Sequence, residues 1–147
     1  MSRPYLPPGL AQPKQESSGL DRAYYEGANN DRLVLQRCNA CHRFQWGPEW
    51  ICHRCLSFDL GWADAPHDGV IYSYERVWHP VHPALKERGP YVVVLVELPD
   101  ADDVRLVGNL LGDPMAPVVI GSKVRAVFER HGDAEKPFTL VQWERVG

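Results

Sequence analysis

The sequence contains no apolar run of the ~18 residues that a membrane-spanning helix needs. Its longest apolar run, Tyr91–Val96, has the length of a strand. The N-terminal residues MSRPYLPPGLAQPKQESSG also lack the apolar segment of a signal peptide, so we expect a cytoplasmic protein. Positive charge is not in excess: the formal net charge is −3, whereas nucleic-acid-binding proteins usually carry a basic surface that neutralises phosphates.

Long uninterrupted elements are also missing, because 13 prolines and 12 glycines divide the 147 residues into short segments. Residues 66–147 contain five segments with strand patterns, namely Val70–Trp78, Tyr91–Leu98, Val104–Leu111, Lys123–Arg130 and Phe138–Val146. We predict a mainly β protein in which these strands form a five-stranded antiparallel OB-fold barrel, since closure removes exposed strand edges. Residues 113–121 would form its cross-connection.

Two of these strands carry a more detailed pattern. Simple alternation in the first predicts that Val70, Tyr72 and Tyr74 share one face. The second, YVVVLVEL, is apolar at nearly every position. Because solvent-facing strand positions are usually polar, this composition predicts a central strand buried on both faces.

The N-terminal part divides into two regions. Residues 1–18 are rich in proline, glutamine and serine, which predicts a flexible arm. Residues 19–65 begin with a segment in which four residues have helical spacing: Leu20, Ala23, Tyr24 and Gly27. The Asn-Asn pair that ends this segment at residue 30 predicts the end of a short helix. The following RLVLQ predicts a short strand that leads into the first cysteine.

All four cysteines of the chain lie in the segment RCNACHRFQWGPEWICHRCL, residues 37–56. They form two Cys-x-x-Cys pairs, Cys38/Cys41 and Cys52/Cys55, with ten residues between the pairs. This spacing is typical of a zinc ribbon with a tetrahedral four-sulfur site, which has no open position and is therefore structural. A redox dithiol and an iron site of the rubredoxin type are the alternatives, although a redox pair normally occurs singly before a helix.

The motifs together suggest a family. The residues on which this resemblance rests are Leu33–Cys38, Cys41, Pro48, Cys52, Cys55, Trp62, Gly69–Ser73 and Pro90–Leu98. In this respect the chain resembles the rubredoxin-like zinc ribbon plus OB-fold proteins associated with acyl-CoA metabolism. The resemblance covers most of the chain, from about Leu20 to Val146.

The resemblance implies a non-catalytic accessory subunit with a structural Zn²⁺ and a partner from the thiolase superfamily. Such partners include the lipid-transfer-protein-type aldolases that cleave steroid side chains from CoA thioesters, which is the first expectation. Acyltransferases of the same superfamily are the second. One departure stands out: a glycine commonly follows the second cysteine of each pair, but His42 and Leu56 occupy these positions here. We call the turn around each Cys-x-x-Cys pair a knuckle. Where the knuckle backbone needs a positive φ, a residue other than glycine should lower its stability.

The chain lacks the usual catalytic motifs, with no Gly-rich phosphate loop, no Gly-x-Ser-x-Gly and no His-Glu-x-x-His. The best candidate cluster is His79 and His82, but flanking prolines prevent a helix and the next carboxylate is Glu87. We interpret this segment as an exposed loop that contacts a partner or acyl-CoA. The acidic run Asp100–Asp103 is interpreted as a solvated turn.

Aromatic residues leave a second class of function open. Trp46 and Trp50 flank Pro48 in a loop that is too short to bury them, which favours a protein interface. The histidines beside the cysteines, His42 and His53, are likewise expected at the surface. Tyrosines on an OB-fold strand could instead stack on bases, so a single-stranded nucleic-acid-binding module is the alternative to the subunit. A carrier that binds a CoA ester without a partner is the third interpretation.

Overall fold

A computed structural model describes residues 10–11 and 18–147 of the chain. The predicted arm, 1–18, therefore lies almost wholly outside the described residues. The first element is helix α1, Arg22–Ala28, which falls within the predicted segment and ends at the Asn-Asn pair. An ion pair of 2.6 Å between Arg22 and Glu26, one turn apart, supports this single short helix. No helix among the described residues is long and apolar enough to cross a membrane.

A three-stranded antiparallel sheet carries the cysteines. Its strands are β1 (Val34–Cys38), β2 (Phe44–Gln45) and β3 (Leu60–Asp64), in the order β2-β1-β3. The predicted strand before the first cysteine is confirmed as β1. Its pairing with β3 brings Cys38 opposite Leu60 and places the two cysteine pairs at the same end of the sheet.

A second sheet forms the nearly closed barrel. Its strands are β4 (Asp68–Val77), β5 (Tyr91–Leu98), β6 (Val104–Asn109), β7 (Lys123–His131) and β8 (Phe138–Arg145), in the order β6-β5-β4-β7-β8. All the pairings are antiparallel, and the five predicted strands are found within two residues of their predicted ends. A bridge between Leu110 and Trp143 brings the β6 and β8 edges together. The prediction of a mainly β chain with a five-stranded barrel is confirmed.

The prediction for β4 is wrong in one respect. The register against β5 shifts between Ile71 and Ser73, because a bulge inserts one extra residue. Beyond the bulge, Tyr74 lies opposite the buried Val94, so its side chain is on the other face of the sheet from Tyr72. Simple alternation across nine residues could not reveal this change of face.

The prediction for β5 is also wrong in part. Its residues alternate strictly between half-buried and fully buried positions. Val92, Val94, Val96 and Leu98 fill the barrel, whereas the residues between them lie on the outside. The strand is thus covered on one face only within the described residues.

One hydrophobic core joins the two sheets. It contains Ala28 of the helix and Leu33 and Leu35 of the β1 region, together with the inward side chains of the barrel. Trp143 is the largest fully buried side chain and lies in the same cluster. The cysteine-bearing sheet is therefore packed onto the barrel and does not depend on the metal site alone for its position.

Candidate metal centre and partner-facing surfaces

The four cysteine sulfurs meet at one end of the β1–β3 sheet. They all lie within 4.8 Å of one another, with 3.6 Å between the sulfurs of Cys38 and Cys55 and 3.7 Å between those of Cys41 and Cys52. A tetrahedral site with metal–sulfur bonds of about 2.3 Å places its sulfurs roughly 3.8 Å apart. All four are free thiols, and their spacing is far longer than the ~2.05 Å of a disulfide. The cluster can hold a metal ion.

Backbone amides within each Cys-x-x-Cys turn donate to the sulfur of its first cysteine. The Cys41 and Arg54 amides donate to the sulfurs of Cys38 and Cys52, each at 3.4 Å. Amide donation by Cys55 and Arg54 lowers the pKa of the Cys52 thiol to about 6, which favours the thiolate that a metal requires.

The residues after the second cysteine of each pair have the backbone that a glycine would provide. His42 has φ 61° and Leu56 has φ 65°, both in the left-handed region. Their amides donate to the carbonyls of Cys38 and Cys52 at 2.9 and 3.1 Å, which closes the two turns. Both side chains are exposed, as is His53, in agreement with the expected surface position of these histidines.

Two buried glutamines connect the sheet to the loop between the knuckles. The Gln45 side chain donates to the Gln36 side-chain oxygen at 2.6 Å, and Gln36 exchanges two hydrogen bonds with the backbone of Glu49. The backbone amide of His53 donates to the Gln45 side-chain oxygen at 2.8 Å. Sequence reasoning missed this network. Its only signal in the sequence was Gln36, a polar residue that directly follows the apolar residues 33–35 and lies two positions before Cys38.

The loop held by these glutamines carries the two predicted interface tryptophans, which differ in their exposure to solvent. Trp50 is 73% exposed. Trp46 is half-buried, packs against the core and lies 4.6 Å from the ring of Tyr24 on α1. The expectation that the loop is too short to bury either ring is wrong for Trp46, because α1 covers it. Pro48, between them, lines the groove beside α1 with a volume of about 420 Å³.

The predicted histidine loop lies in the connection between β4 and β5 of the barrel. His82 accepts a hydrogen bond from the Ala84 amide at 3.1 Å and so precedes a 3₁₀ helix, Pro83–Arg88. His79 is exposed, three residues earlier. Among the described residues, the four-cysteine group alone clusters as a metal site, so the structure does not bring these histidines together with other ligands.

The acidic run forms the predicted turn but has an additional role. Asp102, with φ 56°, accepts a hydrogen bond of 2.8 Å from the Phe44 amide of β2, and its other oxygen lies 3.7 Å from Arg43. This carboxylate ties the β5–β6 hairpin of the barrel to the cysteine-bearing sheet. A sequence that places three acids in four residues gives no indication of which acid does so.

Comparison with known proteins places this architecture. The profile described as "ChsH2, C-terminal OB-fold domain" matches residues 62–129. A chain of the solved "Ltp2-ChsH2(DUF35) aldolase" is 36% identical with a TM-score of 0.75, and the match covers 91% of this chain and 98% of that one. The chain belongs to the DUF35 family. The family resemblance inferred from the motifs is confirmed.

Two further relatives extend the comparison of this DUF35 chain. A DUF35-family protein of unknown function from Sulfolobus solfataricus matches over 88% of this chain and 87% of its own with a TM-score of 0.61. At 13% identity it shows the fold alone. The "Probable enoyl-CoA hydratase alpha subunit" of Thermomonospora curvata is 38% identical over 117 residues, which are 80% of this chain. The match spans only 35% of that curated relative's length.

Proposed function

We propose that this DUF35 chain is a non-catalytic accessory subunit of a thiolase-like enzyme that acts on acyl-CoA thioesters, with a retro-aldolase of steroid or lipid side-chain degradation as the first candidate. The observation that carries the proposal is the 36% identity to nearly the whole of a chain in the "Ltp2-ChsH2(DUF35) aldolase". That solved protein is an aldolase with two named components.

A second candidate is an accessory subunit of an enoyl-CoA hydratase. It is favoured by the 38% identity to the Thermomonospora curvata relative, whose name is that of a hydratase subunit. Both candidates have an acyl-CoA thioester as substrate, and they differ in the catalytic partner. An acyltransferase complex would share the same substrate class.

The metal in this proposal is a structural Zn²⁺ held by Cys38, Cys41, Cys52 and Cys55. Four sulfurs complete a tetrahedron and leave no position for substrate or water, which supports a structural role. Metal analysis of the purified protein should find one zinc per chain, and Cys52→Ser protein should lose it. His53→Ala is the matched control, because this neighbour is exposed and should leave the zinc in place. Iron in the wild-type protein would contradict the zinc assignment.

The contacts to the partner or to acyl-CoA are proposed at two exposed loops. One carries Trp50 and Pro48, with the exposed edge of Trp46; the other carries His79 and His82. Support comes from the exposure of Trp50, since an exposed tryptophan on a loop held by buried hydrogen bonds is typical of an interface anchor. Rigid presentation of such a ring reduces the entropy that binding costs.

The testing experiment is recovery of the tagged full chain from its native cells, with the co-purifying proteins identified by mass spectrometry and then assayed with acyl-CoA. A thiolase-like aldolase in a defined ratio to the chain is the expected result. A hydratase subunit instead would select the second candidate. Recovery of nucleic acid, or of this chain alone with a bound CoA ester, would overturn the proposal in favour of another class of protein.

A further inference from the structure

The outer face of the first three barrel strands carries a group of apolar side chains that are not part of the core. Cross-strand pairing places Val77 beside Tyr91 and Leu95 beside Val107, with Val93 between them. The Tyr72 ring lies on the same side, because the Arg105 guanidinium stacks on it at 3.6 Å and Arg105 pairs with Glu97. We call this surface the outer face; its apolar members are Tyr72, Val77, Tyr91, Val93, Leu95 and Val107.

The sequence of β5 predicts burial on both sides, whereas the described residues bury only one side fully and leave the other half-buried. Val93 and Leu95 neither belong to the hydrophobic core nor pack against it. Val107, opposite Leu95, is 69% exposed, and Tyr72 is 45% exposed. Strands that face water on one side normally place polar residues there. The part of the chain that the structure describes leaves this face partly exposed, and we expect the missing cover from another polypeptide.

The rim of this surface is polar and its charge is nearly balanced. On β4, Ser73 lies opposite Leu95 and Glu75 opposite Val93. The Glu97–Arg105 pair closes one end of the outer face, and Asn109 closes the other. An apolar centre with a charged rim is the usual anatomy of a protein interface. The second and third strands of an OB barrel are also the strands with which this fold usually binds its ligands.

The same charges argue against a single-stranded nucleic acid on this face. Such a ligand needs cations that follow its phosphates. Among the described residues on these three strands, Arg105 is the arginine on this face, and it is already paired with Glu97 at 2.9 Å, while Glu75 adds a negative charge. The stacked tyrosine is thus covered by a cation whose charge is neutralised.

We propose that the outer face docks against the catalytic subunit of the acyl-CoA enzyme, an inference that rests on the proposed function. A catalytic subunit is the occupant because DUF35 units occur with further polypeptide: the Thermomonospora curvata relative has this unit as about a third of its length, and the solved aldolase has two named components. The exposed loop that joins β4 to β5, with Trp78 and Val81, continues the apolar surface beyond Val77. It widens the contact toward the ~800 Å² per partner that a stable interface buries.

The test compares three tagged full-length chains in native cells: wild type, Val107→Glu and Val119→Glu. Val119 is the matched control, since it is 63% exposed and lies in the β6–β7 connection, whose Gly121 and Ser122 hydrogen-bond to Ile71 on the β4 edge away from β5. Both variants place a carboxylate at an exposed valine, so both should fold, which circular dichroism and thermal melting will verify. The readout is the amount of the acyl-CoA enzyme subunit recovered per chain.

We expect wild type and Val119→Glu to recover equal amounts of the enzyme. Val107→Glu should recover at least roughly tenfold less, because a charge would be buried at the centre of the interface. Equal recovery with all three chains would overturn the docking face and leave the proposed function standing. No acyl-CoA enzyme with any chain would overturn the proposed function and the docking face with it. Size-exclusion chromatography separates one further outcome: if Val107→Glu only converts a dimer of this chain to a monomer, the face joins two copies and the proposal is wrong.

Discussion

At the residue scale, the two knuckles show a conflict between backbone and side chain. His42 and Leu56 hold φ angles of 61° and 65° that glycine adopts without cost. Neither side chain is buried, and Leu56 is 67% exposed. The left-handed backbone is therefore maintained by the turn hydrogen bonds and by the cysteine pair that precedes each residue, and not by packing of these side chains.

The first prediction follows from this conflict. Leu56→Gly should stabilise the fold by roughly 0.5–1 kcal/mol, because relief of the left-handed penalty exceeds the added entropy of the unfolded chain. Thermal melting of the metal-loaded protein measures the change. Leu56→Ala is the control: it removes the same exposed side chain but retains Cβ, so its melting temperature should stay near that of wild type. Equal behaviour of the two variants would contradict the explanation.

The two loop tryptophans provide the second prediction. Trp46→Ala should destabilise the chain by about 2–4 kcal/mol, because a half-buried ring packed on Tyr24 is lost. Trp50→Ala should leave stability within about 0.5 kcal/mol, since the ring is exposed. If Trp50 contacts the partner, only its variant will lose recovery of the enzyme while keeping its melting temperature. A destabilised Trp50→Ala chain would show that the exposed ring has a structural role.

At the element scale, one carboxylate connects the two sheets. Asp102→Ala should cost about 1–2 kcal/mol, since the Phe44 amide loses its acceptor and Arg43 its nearby charge. Asp103→Ala is the matched control because Asp103 has a similar φ of 58°. The control therefore measures what an aspartate contributes to the left-handed turn alone. Urea unfolding of both variants gives the difference, and equal midpoints would exclude the link to β2.

Strand positions in the barrel were predictable because each is bounded by glycine, proline or acidic turns and carries either apolar–polar alternation or, in β5, a short apolar run. The bulge at Tyr72 was not, since one inserted residue leaves both halves of β4 with an acceptable alternation. The composition of β5 did indicate two apolar faces, but a single chain cannot show whether its own residues or another molecule cover the second. The cysteine cluster was predictable from spacing alone. The buried glutamines were not, because a polar residue in a strand ordinarily indicates an exposed position.

At the scale of the whole molecule, the cysteine-bearing sheet and the barrel share a hydrophobic core. Leu33 directly precedes β1 and Leu35 lies within it, and both belong to the same cluster as Ile71 and Trp143 of the barrel. The division at residue 66 that the sequence suggested stays a prediction. A core that crosses this boundary gives a reason to expect the two parts to unfold together.

The fourth prediction tests this coupling. Removal of the metal by a chelator should lower the melting temperature by roughly 10 °C or more, because a structural site contributes several kcal/mol and each changes the midpoint by about 2–4 °C in a domain of this size. Calorimetry should show a single transition before and after chelation. Two separate transitions, with the second at the original temperature, would mean that the barrel unfolds independently of the cysteine-bearing sheet.

The seam between β6 and β8 has a consequence for how the barrel opens. Little main-chain bonding crosses it: Leu111 donates to the Trp143 carbonyl at 2.8 Å, and the Asn109 amide donates to the Gln142 side chain, not to a backbone carbonyl. In deuterated water, the amide protons of Asn109 and Leu111 should exchange well before those of Val94 and Val96, which lie in the full ladder between β4 and β6. The barrel thus behaves as a rolled sheet whose two edge strands, β6 and β8, only touch, and its slow opening fluctuations should begin where they meet.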